Sequence, residues 1–235
     1  MILPTIFLLI ILTLSYYTSL ALNGAFLAIV ADKLGDSTAK DLGFATPNPV
    51  MHFELINFLL FVMLGFYICP MLPINPFNIR EPFRYFKIFV IYFLEIISSM
   101  FISLVSLLTC VLYFGAAKTN NLMQFFIINR VHGLFTSNLS GFDFSSFSNV
   151  IGLLLIATMY INAVMAVTIL VFNFFKYVLL VGVEKNYGYI QYYDYLVSFV
   201  PFITLYLTFG FFYKYILHII FAVTTFAAQA ISSLL

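Results

Sequence analysis

The sequence predicts an all-α integral membrane protein with about 5–6 transmembrane helices, folded as one domain over residues 1–235. Three observations carry that prediction. Hydrophobic residues make up 63% of the chain and charged residues 8%, whereas a soluble domain is roughly half apolar and about a quarter charged. The apolar residues gather into runs that match the roughly 20 residues a helix needs to cross a bilayer. The formal net charge of +1 supplies no basic field for a nucleic acid, so the partner implied by composition is the lipid bilayer. Cys69 and Cys110 both lie in or beside apolar runs and read as small buried hydrophobes.

Residues 2–30 form the first span. No basic leader and no small-residue cleavage site precede its apolar run, so it reads as a retained helix. Ser15, Tyr16, Tyr17, Thr18 and Ser19 make a polar notch within it. Such groups need partners inside a membrane, so the notch is expected to face other helices. Residues 31–52 are a polar loop in which Pro47 and Pro49 bracket Asn48 and disfavour continuous helix.

Residues 53–69 make a short second span that ends at Pro70 and Pro73. Residues 87–114 are the third span, with Glu95 well inside it. A carboxylate at that depth is costly and is expected to face the bundle interior. Residues 115–149 form a polar connection with a short interfacial helix over 123–131. Asn138-Leu139-Ser140 fits a glycosylation sequon and reads as a chance match.

Residues 150–182 are a long fourth span interrupted by Asn162, Asn173 and Lys176. Its length implies tilt or continuation past the interface. The tyrosines of residues 184–195 read as an aromatic belt. Residues 196–212 form a fifth span, and residues 215–235 are either a sixth span or a helix lying at the surface. Over alternate crossings the Lys and Arg residues divide evenly, so they do not set the orientation.

Two polar segments carry a family pattern. The first, residues 31–54, reads ADKLGDSTAKDLGFATPNPVMHFE. It resembles a segment, A-D-R-L-G-D-P-T-A-K-x-x-G-R-x-T-L-N-P-L-x-H-I-D, that follows the zinc-binding helix in a bacterial branch of the site-2 protease-like intramembrane zinc metallopeptidases. Ala31, Asp32, Leu34, Gly35, Asp36, Thr38, Ala39, Lys40, Gly43, Thr46, Asn48, Pro49 and His52 match without a gap. The second segment contains Pro73, Asn75, Pro76, Asn78, Arg80, Pro82 and Arg84. It resembles the family's P-V-N-P-x-N-F-R-x-P-R-R.

The resemblance implies a site-2 protease-like core and a bacterial inner membrane, or an organelle membrane of bacterial descent. It also implies where chemistry should be. The family's H-E-x-x-H falls on Asn23, Gly24 and Leu27, and its aspartate ligand falls on Leu170, eight residues after Asn162. Its G-P-x-x-N falls on Phe93, Leu94 and Ile97. Zinc catalysis needs three protein ligands, an open position for water and a general base. Leu binds no metal and Gly takes no proton. The loop-shaping segments are therefore kept while the segments of the catalytic centre have become apolar. The expectation is a degenerate member with no catalytic residues, no metal and no cofactor, whose interior is packed with side chains.

His52 is the weak candidate for a metal role, and its bland alternative is a histidine bonded to loop backbone. His132 and His218 read as interfacial residues. The favoured function is a scaffold or structural subunit that binds other membrane-protein subunits. Two alternatives come from other classes. One is an active protease with displaced ligands, His52 with Glu54 or Glu95. The other is a small transporter or channel using Glu95, the Ser15–Ser19 notch and Asn162, with Lys176 or His218 as a relay partner for Glu95.

Overall fold

The computed structural model describes residues 2–55, 58, 72–131, 143–185, 222, 226 and 230. The described residues are mostly helical and contain no strand. Among the described residues, three helices are long and apolar enough to cross a membrane: Ile6–Leu34, Arg84–Phe114 and Phe147–Gly182. The chain is thus a membrane-embedded protein whose apolar helices contact lipid. The second, fifth and sixth expected spans lie wholly or largely outside the described residues, as do Cys69, His132, His218 and the sequon.

Helix α1 (Ile2–Leu34) is longer than the expected first span because residues 31–34 continue it. It stops at Gly35, whose φ of +113° is left-handed backbone that favours glycine. Gly35 N–H then bonds Asp32 O and Asp36 N–H bonds Ala31 O, which closes the last carbonyls in a Schellman arrangement. A short helix α2 (Thr38–Asp41) and a 3-10 turn (Pro49–His52) follow. A second 3-10 turn (Pro76–Asn78) precedes α3 (Arg84–Phe114). Helix α4 (Ala116–Val131) begins seven residues before the interfacial helix expected at 123–131 and packs into the bundle. Met123 is fully buried, and Phe126 meets Tyr160 edge-on at 5.3 Å. Helix α5 (Phe147–Lys185) runs 39 residues.

Helices α1 and α5 run parallel, and α3 runs antiparallel to both. Ser15 meets Leu154 and Asn23 meets Asn162, whereas Ser103 meets Met159 and Glu95 meets Asn173. Helix α5 is the most enclosed of the three: 61% of its most apolar stretch is buried, against 33% for α3. Its inner residues Leu153, Ile156, Met159, Ile161 and Met165 centre one apolar cluster with Leu8, Leu12, Tyr16 and Leu20 of α1. A second cluster joins Leu27 and Ala31 of α1 to Ile79, Ile88, Ile91 and Leu180. The outer face of α3 carries Ile97, Met100, Phe101 and Leu104, all exposed. A helix apolar on both faces is what a lipid environment selects.

Candidate functional site

The residues assigned to the catalytic centre by resemblance divide in the structure. Asn23 and Leu27 are buried on the inner face of α1, and Asn162 is fully buried on α5. Leu170 is 45% exposed and turns away from them, and Ile97 is 61% exposed on α3. Leu170 therefore does not face the place where an aspartate ligand would have to reach.

What fills that place is polar. Asn23 Nδ2 donates to Asn162 Oδ1 at 3.1 Å. Asn162 Nδ2 donates to Ser19 Oγ at 2.7 Å and to Thr158 O at 2.8 Å. Ser98 Oγ donates to Asn23 Oδ1 at 2.5 Å, and Ser19 Oγ donates to Ser15 O at 2.7 Å. The interior expected to be apolar is thus crossed by a hydrogen-bonded seam from α1 to both other spans. The physical reason is reciprocity: each amide supplies the partner that the other requires inside a low-dielectric bundle.

Sequence spacing explains how each helix contributes. Ser15, Ser19 and Asn23 follow one another at four-residue steps, which places them on one face of α1. Asn162 and Asn173 are eleven residues apart, close to three helical turns, and share a face of α5. Glu95, Ser98 and Ser99 lie within one turn of α3. The Ser15–Ser19 notch does face other helices: Ser15 Oγ reaches Leu154 O at 3.3 Å. Ser98 and Ser99 carry no expectation from the sequence, and Asn173 only that of interrupting its span, although these same periodicities point to them.

Glu95 is 8% exposed and its carboxylate accepts from Asn173 Nδ2 at 3.4 Å, while that amide also holds Tyr92 O at 2.6 Å. Among the described residues it is Asn173, and not Lys176, that reaches Glu95. Ser99 Oγ is buried and has no hydrogen-bond partner among the described residues.

His52 sits at the remaining position of the motif. Its ring lies against Gly24, so that a Cβ at position 24 would come within 2.4 Å of Nδ1 and 2.5 Å of Cε1. A side chain at this position, where the resemblance would put a general base, collides with the ring unless His52 moves. Nε2 of His52 lies 3.1 Å from Thr46 O, and since a carbonyl only accepts, Nε2 carries the proton. Phe44 packs edge-on against the ring at 5.6 Å. His52 is thus bonded to loop backbone and does not pair with Glu54 or Glu95. Among the described residues no three His, Cys, Asp or Glu side chains come together as a metal site.

The two loop motifs, in contrast, find each other. Asp36 is fully buried at their junction. Its Oδ1 accepts from Thr38 N at 3.2 Å, from Thr38 Oγ1 at 2.5 Å and from Asn78 Nδ2 at 3.0 Å. Its Oδ2 accepts from Asn75 N at 2.7 Å. A buried carboxylate is tolerated only when it is so satisfied. The same device builds both 3-10 turns: Asn48 Oδ1 caps Val50 N and Asn75 Oδ1 caps Phe77 N, each at 3.1 Å, with Pro49 and Pro76 as the first helical residue. Arg84 ties the second loop to α3 through Ile79 O at 3.0 Å and Pro76 O at 3.2 Å, with its guanidinium over the Phe77 ring. Lys40 pairs with Asp32 at 2.8 Å, and that hydrogen bond holds its pKa above the ordinary value. Arg80 and Pro82 are exposed.

Comparison of the chain with protein-family models, with curated proteins and with solved structures gives no match.

Proposed function

We propose that this chain is a non-catalytic, site-2 protease-like membrane protein that serves as a scaffold or structural subunit of a larger membrane assembly. One observation carries the reading: Asn23 and Asn162, two positions taken from the family's catalytic segments, spend their polar groups on each other and on neighbouring serines. Groups committed to one another in this way hold helices together and are not free for a substrate. The loop motifs support the same reading, because Asp36, Asn75 and Asn78 fasten the end of α1 to the start of α3. A fixed frame with an extended apolar exterior suits a subunit role.

The experiment is extraction from native membranes in mild detergent, followed by native mass measurement, identification of co-migrating chains and zinc analysis. A defined assembly of several chains without stoichiometric zinc is the expected result. A lone monomer sinks the subunit reading. Stoichiometric zinc with cleavage of a transmembrane peptide sinks the non-catalytic one.

A second reading, a small transporter, is favoured by Glu95, a buried carboxylate one turn from the unpartnered Ser99 hydroxyl. Proteoliposome flux that disappears in Glu95→Gln would establish it; flux indifferent to that change removes it.

A further inference from the structure

An open cleft of about 430 Å³ lies where α1 ends and α3 begins. Gly35, Phe77 and Asn78 form its walls, and Arg80, Glu81 and Lys87 supply its charge. Two helices of membrane-spanning length meet here, one ending at Leu34 and the other starting at Arg84. The cleft therefore sits at headgroup level, where hydrocarbon gives way to water.

Its charges are not spent on the protein. Arg80 and Glu81 are neighbours in sequence, yet neither side chain makes an ion pair or hydrogen bond among the described residues. Lys87 Nζ holds Arg80 O at 3.2 Å and keeps two of its three donors. The cleft thus presents two cations and one anion. Phe77 lines it, and Phe83 and Phe86 belong to the same stretch of chain; the three are 45%, 74% and 65% exposed. Phe83 is held in left-handed backbone at φ 63°, with its ring outward. Aromatic rings at this depth belong among headgroups and the first acyl carbons.

We propose that this cleft binds the headgroup of phosphatidylethanolamine, with the phosphate on Arg80 and Lys87 and the primary ammonium on Glu81. The ligand class follows from the charge pattern. A phosphodiester takes charge-assisted bonds from guanidinium and ammonium groups, and a primary ammonium donates to a carboxylate. Phosphatidylglycerol satisfies the cations and leaves Glu81 unpaired. Phosphatidylcholine carries no N–H to donate. This proposal requires only a membrane-embedded chain and stands apart from the scaffold reading.

The test uses the full chain, delipidated in detergent and given equimolar dioleoyl phosphatidylethanolamine, phosphatidylglycerol and phosphatidylcholine. Bound lipid is read by native mass spectrometry. Wild type is expected to retain phosphatidylethanolamine about tenfold over the other two, the factor expected of one charge-assisted bond. Arg80→Gln with Lys87→Gln should lower retention of both phosphatidylethanolamine and phosphatidylglycerol by a similar factor. Glu81→Gln should abolish the preference between them while phosphatidylglycerol stays bound. All three side chains lie at the surface of the cleft, and an unchanged unfolding midpoint confirms that the variants fold. Equal retention of the three lipids overturns the proposal, as does a preference that survives Glu81→Gln. Displacement of the lipid by millimolar inorganic phosphate alone also overturns it, by showing a simple anion site.

Discussion

Asn162→Ala is the most informative single perturbation of the bundle. It removes two interhelical hydrogen bonds, to Ser19 and Asn23, and strands Asn23 Nδ2, which has no other acceptor among the described residues. A hydrogen bond between membrane helices contributes about 0.6 kcal/mol on average and up to about 1.7 kcal/mol. A buried donor left without an acceptor costs about 1–3 kcal/mol. The expected loss is therefore about 2 kcal/mol. Asn23→Ala should cost a similar amount, because it leaves Asn162 Oδ1 without its donor and removes the bond from Ser98, which keeps only Glu95 O. The double variant should be about 1 kcal/mol more stable than the two losses added together, since each change removes the group that the other strands. The assay is reversible unfolding in mixed micelles for all four proteins of the cycle. Additivity within about 0.3 kcal/mol would mean that the two amides act independently, and the argument for a shared seam would fail.

Gly24→Ala should destabilise the fold by about 1–3 kcal/mol through overlap with His52, and the second change His52→Ala should recover most of that loss in thermal unfolding. Asp36→Ala should be the most damaging loop substitution, costing about 3 kcal/mol or more, because it strands donors from Thr38, Asn75 and Asn78; limited proteolysis at residues 72–83 reports the loosened loop. The adjacent serines of α3 should respond with opposite signs: Ser98→Ala lowers stability by about 1 kcal/mol, whereas Ser99→Ala, which deletes an unpartnered hydroxyl, is neutral or raises it. Hydrogen bonds from Ser145 hold the Asp143 carboxyl below its ordinary value of 3.8. Folding then favours its ionised form, so its contribution is present above that value and is lost as pH falls through the lower folded one. Asp143→Asn should flatten the acid limb of a stability-against-pH profile.

Much of the frame is legible in the sequence, because it rests on runs and local signals. Length and hydropathy place α1, α3 and α5, and the Asn-Pro pairs at 48–49 and 75–76 mark the two 3-10 turns through capping chemistry confined to four residues. Contacts between distant residues are not legible in the same way. Asp36 and Asn78 stand 42 residues apart, and Asn23 and Asn162 stand 139 apart. The resemblance gives only an expectation about which groups Asn23 and Gly24 replace. It did not show that one is bonded across the bundle and that the other is small because a histidine ring lies on it. Helix α4 is missed at its start because Lys118, Thr119, Asn120 and Asn121 read as loop. Thr119 instead bonds Gly115 O at 2.8 Å, and Lys118 Nζ bonds Ser148 Oγ at 2.9 Å. Those bonds make a polar turn helical without changing its composition.

The length of α5 has a mechanical consequence. At about 1.5 Å per residue, its 39 residues reach roughly 58 Å, against about 30 Å of hydrocarbon. Even at the steep end of observed tilts, about 40°, some 20 Å of rod remains outside the film. That surplus does not trail. Leu180 is fully buried against Ile79 and Ile88, so the second loop motif clasps the rod near its C-terminal end. Helix α5 is therefore longer than the hydrocarbon it crosses, and its C-terminal part is packed against the loop that fastens α1 to α3. That end of the rod is thus held by the fold and does not stand alone.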